Sequence, residues 1–210
     1  MPLITKPPTL RGSRVFDSND RTNLRADIPF PGFPFTLLGR VKYFSGNDGF
    51  AMAVTYNLDS INAGCGIGFD GTPSARMNIG SVAVTRSYTN DGLWHDLGGV
   101  FYDVGTSGEL YLDGVGGSFC THPDTFTPTG ISVGQYTYNG GTKFANFGGG
   151  IADVALYRAE LLPSEIMAYH LGTSPLDIRP AMLVGYWPLS GTGNTEPNMA
   201  SGGAYALIND

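Results

Sequence analysis

Apolar and polar side chains alternate along most of the chain in short bursts bounded by Gly, Asn or Asp. In GFAMAVTY, Phe50, Met52, Val54 and Tyr56 fall on one face of an extended segment, with Ala51, Ala53 and Thr55 on the other. That is the two-residue period of a strand. Similar bursts recur at 64–69, 82–88, 94–102, 109–113, 131–136 and 151–157. Spacing this regular predicts an all-β antiparallel sandwich rather than alternating strands and helices. Within it, Trp94, Phe101, Leu110, Leu112, Val133, Ile151, Val154 and Leu156 are expected in or beside the core. One short helix is predicted near residues 162–171, where Leu162, Ile166 and Tyr169 share a face. Pro163 suits its first position, Glu165 its positive end, and Gly172 its finish.

Two regions break the pattern. Residues 1–34 hold six of the 14 prolines and little periodicity, which predicts an extended, basic, Pro-rich arm that packs little on the sandwich. Residues 35–172 then form the sandwich. Residues 173–210 contain one strand-like run, VGYWPL, and Tyr186, Trp187 and Leu189 are too apolar for a free tail. A strand at about 183–189 is expected to dock beside 151–157, or to enter a neighbouring subunit's sandwich.

Composition narrows the picture. With 31 glycines, 14 prolines and 14% charged residues over 210 positions, the chain suits one sandwich of many short strands and tight turns. The net charge is -6, split as +3 over residues 1–25 and -9 over the rest. A chain with three lysines offers no continuous positive field, so nucleic acid is not an expected partner. The N-terminal stretch lacks an apolar run of signal-peptide length and nothing downstream matches a membrane span, so synthesis in a cytoplasm and no membrane partner are expected. Cys65 and Cys120 read as buried free thiols in preference to a bridge. Gly64, Gly66 and Gly68 leave one strand face bare, where another layer can lie close.

WHDLGGVFYDVGTSGELYLDGV (residues 94–115) resembles paired strands of the laminin-G/concanavalin-A-like jelly roll, with Asp113-Gly114 as the tight turn. ISVGQYTYNGGTKFANFGGGIADVALYRAELLPSEIMAYHLG (131–172) resembles that family's closing strands and short helix, and FTLLGRVKYF (35–44) an early strand. The tail VGYWPLSGTGNTEPNMASGGAYALI looks like the family's opening strand, here placed last. The resemblance implies a two-sheet antiparallel jelly roll. SPLDIRPAMLVGYWPL after the helix is similar to jelly-roll proteins of tailed bacteriophages. That likeness implies a non-enzymatic virion structural protein, a capsid decoration protein on the virion surface. Its expected partners are the major capsid protein or other virion proteins, and it is expected to be a homo-oligomer. Lys6, Arg11, Arg14, Arg21 and Arg25 would be the arm's capsid contacts.

The alternative is a carbohydrate-binding module of a phage tail fibre or host-recognition protein, contacting cell-surface glycan through Tyr136, Tyr138 and Asn139. The same three residues also suit a hairpin with an Asn-Gly turn. No catalytic site is expected. Related retaining glucanases need two paired carboxylates, and ELYLD (109–113) lacks the second Glu. His95, His122 and His170 show no zinc spacing, and His95 reads as a packing or turn-bonding residue. No cofactor is expected. Calcium stays open, since some laminin-G-like domains hold it with loop acids such as Asn47-Asp48 and Asp70-Gly71, although no ligand spacing supports it here.

Overall fold

The computed structural model describes residues 12–17, 23–46, 50–57, 64–70, 74–80, 82–102, 107–121, 129–138 and 142–209. In chain order the strands begin with β1 (Arg14–Phe16), β2 (Leu24–Ala26), β3 (Phe35–Gly46), β4 (Phe50–Asn57), β5 (Cys65–Asp70) and β6 (Ser74–Ile79). They continue with β7 (Val82–Ser87), β8 (His95–Phe101), β9 (Gly108–Leu112), β10 (Val115–Cys120), β11 (Gly130–Val133) and β12 (Tyr136–Tyr138). After β13 (Thr142–Phe144) and β14 (Phe147–Tyr157) comes helix α1 (Pro163–His170), then β15 (Leu183–Trp187), β16 (Thr195–Glu196) and β17 (Leu207–Asn209).

Two antiparallel sheets face each other. Sheet I runs β1-β14-β3-β8-β9-β10, and sheet II runs β16-β17-β2-β11-β4-β5-β6-β7. The chain is therefore an all-β, two-sheet antiparallel jelly-roll sandwich with one α-helix among the described residues. Inward side chains of both sheets interleave in one apolar core that includes Leu24, Phe35, Val54, Ile67, Phe101, Leu110, Val133, Ile151, Val154 and Leu156. Leu112 packs beside it. Trp94 departs from expectation. It lies one residue before β8, in phase with Asp96 and Val100, and so points outward.

β14 is an interior strand of sheet I, next to the edge formed by β1 and β15. All eleven of its residues are buried. β3 pairs along its length on one edge, while the other edge is shared by β1, opposite Gly149 to Ile151, and β15, opposite Val154 to Tyr157. The C-terminal strand thus lies beside 151–157 of its own chain. Trp187 is fully buried, its ring sits over Gly185, and its Nε1–H donates to the Tyr205 carbonyl at 3.1 Å.

The described part of the N-terminal region differs from a loose arm. β1 adds to sheet I, β2 lies inside sheet II between β11 and β17, and Leu24 and Ile28 are fully buried. Two three-residue strands are too short to show periodicity, and their apolar residues sit among the prolines that suggested an arm.

Helix α1 covers part of the outer face of sheet I. Ile166 and Tyr169 pack with Leu161 and Ile178 on Leu38, Val100, Tyr111, Ala155 and Tyr157. Its first turn is held by the Leu162 N–H, which donates to Glu165 Oε2 at 2.7 Å, and by Arg179, whose Nε donates to Glu165 Oε1 at 2.6 Å. A bulge in β14 puts Asp153 at φ 49°, where its carbonyl accepts from Tyr169 and its carboxylate from Tyr186, at 3.0 and 2.6 Å. At the other end of the helix, His170 Nδ1 lies 2.9 Å from Asp96 Oδ2.

Two outcomes test this packing. Trp187→Ala should destabilise by about 3–5 kcal/mol in denaturant melts, since it empties a fully buried indole site. The hydrogen bond to Asp96 raises the His170 pKa above its ordinary value, outweighing partial burial. The contribution to folding is present below the unfolded pKa of about 6.5 and is lost as pH rises through the folded value. Wild type should therefore lose about 1 kcal/mol more than His170→Ala between pH 6 and the alkaline end of that window, measured by urea melts.

Candidate functional site

Among the described residues, helix α1 does not pack over the part of sheet I's outer face around Arg40, Lys42 and Phe44 of β3. Along β3, Leu38, Arg40, Lys42 and Phe44 alternate outward, with Leu37, Val41 and Tyr43 inward. Leu38 lies under the helix. Beyond it, Lys42 pairs with Gly150 of β14 on one side, and Trp94 follows one step past the His95–Val41 pair on the other. Glycine at 150 leaves room for the indole. A Cβ there would stand 2.6 Å from Trp94 Cη2 and 3.0 Å from Cζ2, so the six-membered ring rests directly on the bare backbone. Trp94 remains half-buried, Phe44 is 55% exposed, and Val15 of β1, opposite Gly150, is 70% exposed. Lys42 Nζ lies 5.7 Å from the centre of the Phe44 ring. The result is an open surface of aromatic faces with a cation beside them.

A polar network borders this surface. The turn before β8 is closed by the Leu93 N–H donating to Asp91 Oδ1 at 2.8 Å, with Gly92 at φ 71°. Asp113 and Gly114, at φ 51° and 76°, make the tight β9–β10 turn. The Asp113 Oδ1 accepts the Asp96 N–H at 3.0 Å, and the Asp113 N–H returns a bond to the Asp96 carbonyl at 2.8 Å. His95 stands between two carboxylates, Nδ1 at 2.8 Å from Asp113 and Nε2 at 3.1 Å from Asp91. His170, Asp96 and Arg40 extend the network, with Arg40 Nε 3.9 Å from Asp96.

Burial pushes the Asp96 pKa up against the opposing pull of His170 and Arg40. The backbone N–H of Leu93 and then the His95 ring hold Asp91 below its usual range. Asp96, Asp113 and His170 are close enough to offer three donors to one metal ion. Those atoms already bond one another or a backbone N–H, and the Arg40 guanidinium adjoins Asp96, so the set works as an ion-pair network.

The residues singled out from sequence lie elsewhere. β12 and β13 form the hairpin, folded over the outer face of sheet II through the Met52 N–H to Ala145 carbonyl bond and the Thr55 hydroxyl to the Gln135 carbonyl, both 3.0 Å. Tyr136 is buried there against Met52 and Ala145, with its ring over Gly64. It thus covers Gly64 just before β5, while Gly66 within the strand is met by Met52 and Thr55. Tyr138 lies in β12 opposite Thr142, its side chain outside the described residues, as is Asn139. Arg14 donates to the Gly193 carbonyl at 2.6 Å, and Arg25 pairs with Asp27 at 3.2 Å. Lys6, Arg11, Arg21, His122, Asn47, Asp48 and Gly71 lie outside the described residues. Asp70 pairs with Arg76 at 3.1 Å, and Cys65 and Cys120 are both free and buried. Glu109 Oε2 accepts from Tyr102 and Tyr111 at 2.6 and 2.8 Å.

Sequence reasoning assigned Trp94 to the core and missed the platform. Its signal was the pairing of an aromatic one step ahead of β8 with the glycine run 148–150, visible only once the register of β14, β3 and β8 is known.

No protein-family model matches the sequence, and no curated protein matches it. Solved structures share its fold. A heptameric SAP-like pentraxin from Limulus polyphemus superposes with a TM-score of 0.64 at 14% identity, over 96% of this chain and 93% of that one. A Bacteroides ovatus protein classed as carbohydrate-binding gives 0.67 at 12% identity, over 94% of this chain and 57% of that one. The CBM40 module of a Ruminococcus gnavus IT-sialidase, bound to α2,3-sialyllactose, gives 0.56 at 10% identity, over 76% and 97%. At such identities the likeness is one of fold, the jelly-roll sandwich.

Proposed function

We propose that this chain is a non-catalytic carbohydrate-binding module whose ligand rests on the outer face of sheet I at Trp94. The observation that carries this is the half-exposed indole seated on Gly150, flanked by Phe44, Lys42 and Val15. The C–H groups on a pyranose face are weakly positive and the face of an aromatic ring is negative, so a sugar ring stacks on such a surface while its hydroxyls meet polar groups at the rim. Arg40, Lys42 and the Asp91–His95 turn supply that rim. Similarity in fold to a protein classed as carbohydrate-binding and to a sialyllactose-bound module supports the same reading.

The virion decoration expected from sequence has less behind it. It rested on the likeness of residues 174–189 to phage jelly-roll proteins together with a basic anchoring arm, whereas Arg14 and Arg25 are engaged within their own chain and the strands that bear them belong to the sandwich. None of the three structures compared above is a virion protein.

A glycan array probed with the purified full chain tests the proposal. Binding to a defined subset of glycans is expected, and Trp94→Ala should weaken it about tenfold or more while leaving the melting temperature nearly unchanged. Tyr136→Ala should lower the melting temperature, because it opens a buried contact. Absence of any binding, or binding untouched by Trp94→Ala, would overturn the assignment.

A further inference from the structure

His95 is placed so that both ring nitrogens face carboxylate oxygens within hydrogen-bonding distance, Asp113 Oδ2 on one side and Asp91 Oδ1 on the other. A neutral imidazole has one N–H, so its other nitrogen would turn a lone pair towards a carboxylate at about 3 Å, a repulsive contact. An imidazolium donates to both. The ring is also largely enclosed, with 14% of its side chain exposed and the edge or face of Tyr88 at 4.8 Å between ring centres.

We propose that His95 is held as an imidazolium between Asp91 and Asp113, and that this charge fixes the turn that presents Trp94. Asp91 performs two tasks with one oxygen. It closes the turn through the Leu93 N–H and receives His95 Nε2, so the segment from Asp91 to His95 is tied at both ends with Trp94 inside it. Asp113 anchors the other side of the ring to the β9–β10 turn and, through the Asp96 N–H, to β8. Loss of the proton removes one of the two bonds and sets a lone pair against a carboxylate, which releases the turn.

The groups facing the ring are Asp91 and Tyr88 from the segment between β7 and β8, and Asp113 from the β9–β10 turn. Beyond Asp113 stand His170, at 4.0 Å, then Asp96 and Arg40. Tyr88 stays neutral near pH 7, its hydroxyl pushed up to about 12 chiefly by burial. Partial burial of His95 opposes its charge, and the bonds to Asp113 and Asp91 outweigh it, leaving the pKa above its ordinary value. The charged state therefore extends to higher pH than in a free imidazole and ends as pH rises through that raised value. On the glycan reading above, on which this step rests, ligand affinity falls over the same window.

Long-range proton–nitrogen NMR spectra of the imidazole rings, recorded on the full chain from pH 5 to 9, test the proposal without any ligand. At pH 7 His95 should show two protonated nitrogens, with a midpoint above 6.5. The Trp94 indole N–H resonance should move with that midpoint. His95→Gln should abolish the movement, and Asp91→Asn, a milder change at an exposed position, should lower the His95 midpoint. A neutral His95 ring at pH 7, or a Trp94 resonance that stays still while His95 titrates, would overturn it. Neither readout depends on glycan binding, so failure on the array and failure here are separable.

Discussion

The structure depends on burying β14 from both sides. A strand in the middle of a sheet offers two faces and two edges, and every one left open would expose apolar side chains or unpaired backbone. In β14 the inward residues Ile151, Val154 and Leu156 lie in the core shared by the two sheets, and outward Ala155 and Tyr157 lie under helix α1. β3 covers one edge and β1 with β15 the other, so both termini of the sandwich are recruited to a single strand. The bulge at Asp153 then lets the second half of the strand hold Tyr169 of the helix and Tyr186 of β15 at once.

Function is proposed where this covering stops. Helix α1 shields part of sheet I, and beyond it Gly150 of β14 gives up side-chain packing and lets an aromatic ring from just before β8 lie on the backbone. The same indole would be an unremarkable surface residue on a standing side chain. Lying on Gly150 it is pre-organised, so less conformational freedom is lost when a ligand stacks on it. The His–Asp network lies between the helix and the segment that carries Trp94. It links the end of the helix, through His170 and Asp96, to the turn that carries Trp94, through Asp113 and His95.

Much of the fold was legible in the sequence because period-two alternation is a local property. β4, β5, β7, β8, β9 and β14 each announce themselves, and α1 is marked by Pro163 and Gly172. β6 and β10 were missed, since SARMNI mixes polar and apolar residues on a half-exposed strand and VGGSFC is rich in glycine at a sheet edge. β1 and β2 are too short for a period to register. The candidate site was far less legible. Tyr136 was attractive as an aromatic beside a turn, but its ring is needed to cover Gly64, a fact that depends on where the hairpin folds. Trp94 and Gly150 are 56 residues apart and meet only through two strand registers.

Of the two tryptophans, Trp94 is proposed as a ligand platform and Trp187 is a core residue. Proton–nitrogen NMR of the two indole N–H groups during titration with a panel of neutral and acidic oligosaccharides reads this directly. The Trp94 signal should shift or broaden saturably with a binding glycan, while that of Trp187, fully buried and bonded to the Tyr205 carbonyl, stays in place. A bound oligosaccharide that leaves the Trp94 signal unmoved at saturation would contradict the account.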